Sequence, residues 1–232
     1  MLIPLDKLIS WYGIRPTGVL HLGAHLGEEA ESYAAAGIGR VLWVEGNPEL
    51  AEQLRGAVEP RGHEVVVALI DEVAGRKVDF HVTSYSQASS ILELGTHKQH
   101  YPDVEVSHEL ALETTTVDAL AADHDVSGLN MLNIDLQGAE LRALKGAAAL
   151  LAQIDIVYTE VNRAEVYAGC ALVGDIDEFL AGHGLRRVAT RWTGADWGDA
   201  LYVRGRLGPL RRLREAYRTS RVAAALEARR AT

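Results

Sequence analysis

Four stretches of this 232-residue chain carry residue types that chemistry needs. The loop Val19-Leu20-His21-Leu22-Gly23-Ala24-His25-Leu26-Gly27 is built of small residues at Gly23, Ala24 and Gly27, which let backbone approach a ligand closely. Glu45 follows one helix and one strand later, where an acid can accept two hydrogen bonds from ribose hydroxyls. Asp135 and Glu160 close two later apolar runs. Two carboxylates at neighbouring strand ends can serve as a general base, or together hold a hard divalent cation such as Mg²⁺ or Mn²⁺, with Asn162 as a further oxygen ligand.

A dinucleotide asks for Gly-x-Gly-x-x-Gly, because its pyrophosphate needs room and exposed amides at a helix start. Here the spacing is Gly23-x-x-x-Gly27, which argues against an NAD-linked oxidoreductase. S-adenosylmethionine (AdoMet) has no phosphate, and a loop that admits its methionine portion while a separate acid holds the ribose suits it better. An ordinary strand-to-helix turn has the same loop; Glu45-Gly46-Asn47-Pro48 in register with it favours the cofactor. A non-catalytic AdoMet- or nucleotide-binding module would need Gly23 and Glu45 but not Asp135 and Glu160.

The acceptor side is expected in the loop 84–109, where Gln87, Ser89, Ser90, His97, Lys98, His100 and Tyr101 form a hydrogen-bonding set fit for a polyhydroxyl molecule. His97 is the candidate base or acceptor ligand, against a solvent-facing alternative. Trp192 and Trp197 beside Asp196 and Asp199 present aromatic faces near carboxylates, a way to hold sugars or simply an edge turn packing its indoles. Arg163 and Tyr167 follow Glu160 and are expected to reach the same pocket. His21 reads as a core residue, Glu140 as a first-turn acid complementing a helix dipole, and Asp135 has a helix N-cap as its alternative role.

Positioning these residues falls to apolar runs of strand length alternating with helical patterns, the signature of βαβ units and a mostly parallel sheet. Strands are expected at Gly18 to Leu22, Arg40 to Glu45, Glu64 to Leu69, Asn130 to Ile134 and Ile154 to Thr159, with Leu185 to Thr190 and Asp199 to Arg204 as an antiparallel, hairpin-like edge. Helices are expected at Glu28 to Ala36, from Pro48 to about Ala57, and at Val117 to His124, Gly138 to Leu151 and Asp175 to Gly182. Between Asp71 and Thr116 the pattern is irregular, with short strands at Val78 to Val82 and Leu110 to Thr116 around the polar loop. One domain is expected over 1–232, with an N-terminal segment 1–17 and a basic C-terminal helix 205–232. The apolar positions of that helix need covering, which makes a homodimer an expectation.

The hydrophobic fraction of 48% with 24% charged residues is that of a globular protein, and the formal net charge of −9 argues against a nucleic-acid partner. Cys170 is the only cysteine, which excludes an intrachain disulfide and fits a reducing cytoplasm. No run approaches a membrane span, so no integral membrane association is expected.

Taken together, the loop Val19 to Gly27, Val44-Glu45-Gly46-Asn47-Pro48, Ser89-Ser90-Ile91, Val117-Asp118-Ala119-Leu120, Asn133-Ile134-Asp135-Leu136-Gln137-Gly138-Ala139-Glu140 and Tyr158-Thr159-Glu160-Val161 resemble the FkbM family of methyltransferases. The most specific stretch, Ile134 to Glu140, is similar to the family's Ile-Asp-Val-Glu-Gly-x-Glu. His21 and His25 stand where Asp and Asn are common, and Gln137 replaces a common Glu. The resemblance implies an α/β, Rossmann-like class I methyltransferase with a mostly parallel seven-stranded sheet, an antiparallel edge strand and helices on both faces. It implies AdoMet as cofactor, and methylation of oxygen in sugars or natural products, methylated mannosides and polyketides among them. The expected cofactor contacts are Gly23, Ala24, His25, Gly27, Glu28, Glu45, Asn47, Ala68, Ser90 and Asp135. The expected catalytic residues are Asp135, Glu160 and His97, the metal ligands Asp135, Glu160 and Asn162, and the acceptor contacts Ser89, His97, Tyr101, Arg163, Tyr167, Trp192 and Trp197.

Overall fold

A computed structural model describes residues 1–205; the expected helix over 205–232 lies outside the described residues apart from Gly205. The chain begins with helix α1 (Leu5–Tyr12), which buries Leu5 and Leu8 and ends at Gly13 in the left-handed region. Strand β1 (Val19–Leu22) and strand β2 (Val41–Glu45) are buried at every residue, as strands covered on both faces must be. Between them lies α2 (Ala30–Ala35). Asn47 caps α3 (Pro48–Val58) by accepting the Glu49 N–H at 3.0 Å, with Pro48 in the first turn where a missing donor costs nothing.

Next come β3 (Glu64–Val67), β4 (Leu69–Ile70), β5 (Lys77–Thr83), the single turn α4 (His97–His100) and β6 (Val106–Thr115). Then follow α5 (Val117–Asp123), β7 (Met131–Ile134), α6 (Glu140–Lys145), β8 (Ile156–Asn162), α7 (Val173–Gly182), β9 (Leu185–Trp192) and β10 (Trp197–Arg204). The main sheet has seven strands in the order β3-β2-β1-β7-β8-β10-β9. β3 through β8 of that order run parallel, and β10 is antiparallel to both its neighbours, one strand in from the edge. Alternate residues feed two cores. Val19, Val41 and Trp43 pack with Leu8, Tyr33 and Leu54 from α1 to α3, whereas Leu20, Leu22 and Val44 pack with Leu120, Leu144 and Leu180 from α5 to α7. From β1 the chain moves outward to β2 and β3, then crosses back to place β7 on the other side of β1. That reversal opens a crevice at the carboxyl ends of β1 and β7, where ligands of such sheets bind.

The irregular middle of the sequence forms a second sheet, β4-β6-β5. Leu69, Phe80 and Val82, with Leu110 and Leu112 against them, give it a small core of its own, so β5 and β6 are longer than expected and the intervening loop is 84–105 rather than 84–109. The strand expected from Glu64 to Leu69 breaks at Ala68 because Leu69 and Ile70 pair with Thr114 and Thr115 of β6. The helix expected from Gly138 to Leu151 is interrupted: Gly146 lies against the Asp71 carbonyl oxygen, 2.5 Å from where a Cβ would stand, and the chain resumes as a 3₁₀ turn at Leu150–Gln153. Asp71 itself is fully buried between Arg142, which donates at 2.6 and 2.8 Å, and Arg76, fastening the second sheet to α6. β8 continues past its expected end to Asn162, which puts Glu160 inside the strand.

Candidate active site

The crevice is a cavity of about 860 Å³. At one end, β1 runs into Gly23, whose φ of 76° is open to glycine and whose absent Cβ would stand 1.8 Å from the Asp135 carbonyl oxygen. Only glycine lets the ends of β1 and β7 meet in this way. The following His25 is also left-handed, φ 48°, and its N–H points to Glu45 Oε2 at 2.8 Å while the Asn47 N–H takes Oε1 at 2.8 Å. Each Glu45 oxygen keeps a second acceptor position, which two vicinal hydroxyls require. Burial raises the Glu45 pKa, against the two N–H bonds. Gly46, Leu50, Ala68 and Leu69 add a small, apolar wall beside it. These features fit AdoMet: a close backbone cradle for the methionine portion, an acid for the ribose and an apolar face for the adenine.

The loop 84–105 closes over this end through polar contacts. His25 Nδ1 lies 2.6 Å from Glu28 Oε1 and its Nε2 2.8 Å from Ser86 Oγ, and Gln87 Nε2 donates to the same Glu28 oxygen at 3.0 Å. Burial opposes ionisation of Glu28, yet the His25 ring and the Gln87 amide hold its pKa down to about 2, and the Glu28 carboxylate in turn raises that of His25.

Across the cavity, Asp135 and Glu160 are joined by an amide. Gln137 Nε2 donates to Asp135 Oδ1 at 2.5 Å and to Glu160 Oε2 at 3.1 Å, and Tyr167 Oη donates to Gln137 Oε1 at 2.5 Å. The turn that brings Gln137 back has φ 52° there and 99° at Gly138, which packs against Tyr167 and Cys170. Glu140 secures that turn by accepting the Leu136 and Gly138 N–H groups at 2.9 and 3.0 Å. Asp135 is exposed to the cavity, and desolvation by the protein packed around it, with Asp199 nearby, lifts its pKa to about 6. Glu160 is buried, and desolvation together with Asp135, Glu140 and Asp199 raises it well above the carboxylate range.

The mouth is aromatic. The His97 ring lies between Tyr101 and Tyr167, 4.8 and 5.5 Å between centroids, and Trp197 Nε1 donates to Tyr101 Oη at 3.3 Å. His97 is buried and its Nδ1 has no partner; burial and His100 lower its pKa, so the ring is neutral.

Of the residues expected from sequence, Gly23, Ala24, His25, Glu28, Glu45, Ala68, Ser89, His97, Tyr101, Asp135, Glu160, Tyr167 and Trp197 line this one cavity. The other six do not line it. Gly27 makes room for Leu54, Asn47 is the α3 cap, and Ser90 Oγ donates to the Gln137 carbonyl at 2.8 Å. Arg163 stacks over Trp192 at 4.5 Å, outside the cavity. Asn162 is fully buried. His21 is the core residue expected, stacked on Trp43 and hydrogen-bonded to Tyr33, with burial lowering its pKa to about 4, and it forms part of the cavity floor.

Sequence reasoning gave no role to two residues that matter here. Gln137 read as a departure from a family pattern, but its amide spans both acids. Asp199, seen as a neighbour of the tryptophans, is brought opposite Glu160 by β10, and its carboxylate accepts from Tyr158 Oη and the Leu2 N–H, each at 2.6 Å. The period-two spacing of Trp197 and Asp199 was the available signal. Of the expected metal set, Asp135 Oδ1 and Glu160 Oε2 each accept from the Gln137 amide, and the buried Asn162 side chain has no hydrogen-bond partner among the described residues. Among the described residues no group of three or more His, Cys, Asp or Glu is disposed to hold one.

A family model described as the methyltransferase FkbM domain matches residues 21–187, from β1 into β9. The chain belongs to the FkbM methyltransferase domain family. The domain so defined contains Gly23, Glu45, Asp135, Gln137 and Glu160, and leaves Trp197 and Asp199 on β10 just beyond it. The FkbM-domain chain is 24% identical over 161 residues to 2-O-methyltransferase NoeI of Sinorhizobium fredii (strain NBRC 101917 / NGR234), a match that spans 65% of each protein, a little under two thirds of that relative's length. Its fold is similar to that of Sp1610 of Streptococcus pneumoniae, described as a candidate tRNA (m1A22) methyltransferase, at a TM-score of 0.51 and 13% identity over 96% of this chain and 80% of that one.

Proposed function

We propose that this FkbM-domain protein is an AdoMet-dependent O-methyltransferase whose acceptor is a hydroxyl of a small polyhydroxyl molecule, a saccharide in the first instance. The observation that carries this reading is one continuous cavity joining the Gly23 and Glu45 cradle to the carboxylates Asp135 and Glu160. Bound AdoMet supplies an electrophilic methyl group on a sulfonium, a good leaving group. What the chain must add is alignment of the acceptor oxygen and a place for its proton.

Asp135 is the base in this reading. It faces the cavity, and a pKa lifted to about 6 leaves it ionised at neutral pH and more basic than an ordinary aspartate. Glu160 keeps its proton, so a single negative charge occupies the pair. The Gln137 amide fixes the spacing of the two acids, and Tyr167 fixes Gln137. The loop at Ser86 and Gln87 is tied to the cofactor end through His25 and Glu28. In this reading Asp135 acts as a direct base without a cation, since the Gln137 amide already bridges both acids. The NoeI likeness and the aromatic mouth at Tyr101 and Trp197 support a saccharide acceptor.

Calorimetry with AdoMet and with NAD tests the cofactor, and preferential NAD binding would sink the reading. A radiolabelled-AdoMet screen of saccharides and hydroxylated polyketides, run with and without EDTA, tests the acceptor class and the base. Activity that EDTA abolishes and Mg²⁺ restores would replace the direct base with a metal.

A further inference from the structure

Among the described residues, the cavity wall holds seven carboxylates, those of Glu28, Glu29, Glu45, Asp103, Asp135, Glu160 and Asp199, of which Glu160 keeps its proton, and no lysine or arginine; its cationic groups are the Met1 ammonium, paired with Glu29 at 2.8 Å, and the His25 ring, paired with Glu28. At the mouth the buried His97 ring is neutral and its Nδ1 lacks a partner. Several of the acids have local tasks: Glu28 holds His25, Glu45 takes two backbone N–H groups, and Asp199 holds Tyr158. Asp103 has none; it stands exposed at the rim, two residues beyond Tyr101, with no ion-pair partner among the described residues. Beside it Tyr85 and Tyr101 expose 57% and 38% of their surface, an unusual amount for aromatic rings and enough to offer a face to an entering ligand.

We propose that this site selects its acceptor by charge, taking an amine-bearing hydroxylated acceptor in preference to its neutral counterpart and rejecting carboxylated, sulfated or phosphorylated ones. The inference rests on reading the cavity as the methyl-transfer site. An ammonium entering at the mouth meets Asp103 and the faces of Tyr85 and Tyr101, and both kinds of contact favour a cation. An anion meets the same acids as like charges in a recess of low dielectric, with no guanidinium or lysine ammonium to receive it. AdoMet brings one net positive charge, which offsets one carboxylate and leaves the balance negative. The unpartnered His97 Nδ1 is a neutral hydrogen-bonding position, suited to an acceptor hydroxyl and not to an anion.

The test uses the full chain and matched glycans on several scaffolds, each present as the free amine, the N-acetyl form and a carboxylated or sulfated form. Binding to protein loaded with S-adenosylhomocysteine is measured by calorimetry, and methyl transfer from radiolabelled AdoMet is measured in parallel. The expected order is amine over N-acetyl over anion, with about ten-fold between neighbours in the series, corresponding to roughly 1.4 kcal/mol per step. The spread should shrink in 1 M salt, where the Debye length falls to about 3 Å. Asp103→Lys should bring the anionic member up to or above the amine while AdoMet affinity is unchanged. A flat or reversed order, or no glycan binding by protein that binds AdoMet, overturns the inference and leaves the cofactor assignment standing. Absence of AdoMet binding instead removes the reading on which it rests.

Discussion

Asp135 is a carboxylate that a ligand can touch, at the end of a buried strand, and the protein and the acids around it raise its pKa. Its pKa rises from 3.8 to about 6 on folding, so between those values the native protein binds more protons than the unfolded chain, and stability falls as pH rises through that window. Asp135→Asn should therefore raise the melting temperature at pH 7 to 8, with the gain disappearing as pH drops toward 4, while methyl transfer falls about 10²- to 10⁴-fold. Scanning calorimetry across pH beside a turnover assay checks both halves; a variant destabilised at neutral pH would deny Asp135 its raised pKa. For the wild type, kcat/KM should rise with pH through about 6. Gln137→Glu places a third carboxylate where the amide now donates to both acids, and should move that rising limb upward by about one pH unit with AdoMet affinity retained. Strand-end acids were legible in the sequence because Glu45, Asp135 and Glu160 each close an apolar run. Gln137 and Asp199 were not, because what they touch is decided by a left-handed turn at Gln137 and by a strand, β10, that returns antiparallel between β8 and β9.

At the scale of elements, two joints decide whether those residues meet. One is the approach of β1 to β7 at Gly23: Gly23→Ala must move the Asp135 carbonyl or the loop, and AdoMet binding should be lost even in protein that still folds. The other is Asp71, fully buried between Arg142 and Arg76, which fastens the second sheet and with it the loop that carries the mouth. Asp71→Ala removes the buried carboxylate that the partly exposed Arg142 and Arg76 share and should cost about 1.5–3 kcal/mol, which chemical denaturation measures. In whatever folded fraction remains, acceptor KM should rise more than kcat falls, since the base is on the other side of the joint. The alternating main sheet was legible because its strands bury every residue or alternate with amphipathic helices. The second sheet was not, because β6 is exposed along most of its length and its few apolar residues gain meaning only once Phe80 and Val82 lie opposite. The break in the helix after Gly138 was hidden for a similar reason: Gly146 is required by a contact with Asp71, far away in the chain.

For the molecule as a whole, two helical layers and a seven-stranded sheet end in a recess whose walls repel one another until a ligand arrives. Desolvation raises the pKa values of Glu45, Asp135, Glu160 and Asp199 together; Glu160 keeps its proton, and the others hold negative charge that the surrounding protein disfavours. A cationic ligand that binds only the folded state relieves part of that charge and adds its binding free energy to stability. At a concentration of about 100 times its dissociation constant, AdoMet should stabilise the protein by about 2.7 kcal/mol. For a chain of this size that corresponds to a rise in Tm of roughly 5–10 °C. S-adenosylhomocysteine lacks the sulfonium charge but keeps the ribose and methionine contacts, so at equal concentration it should give a smaller shift that is less sensitive to salt. NAD, with a pyrophosphate and no lysine or arginine in the described wall to meet it, should give none. Glu45→Ala should remove the shift for both AdoMet and S-adenosylhomocysteine, because it deletes the ribose contact and leaves the cavity otherwise intact. A thermal-shift series across the three ligands at low and high salt separates these contributions. An NAD shift equal to that of AdoMet would mean that the negative wall does not govern what this cavity admits.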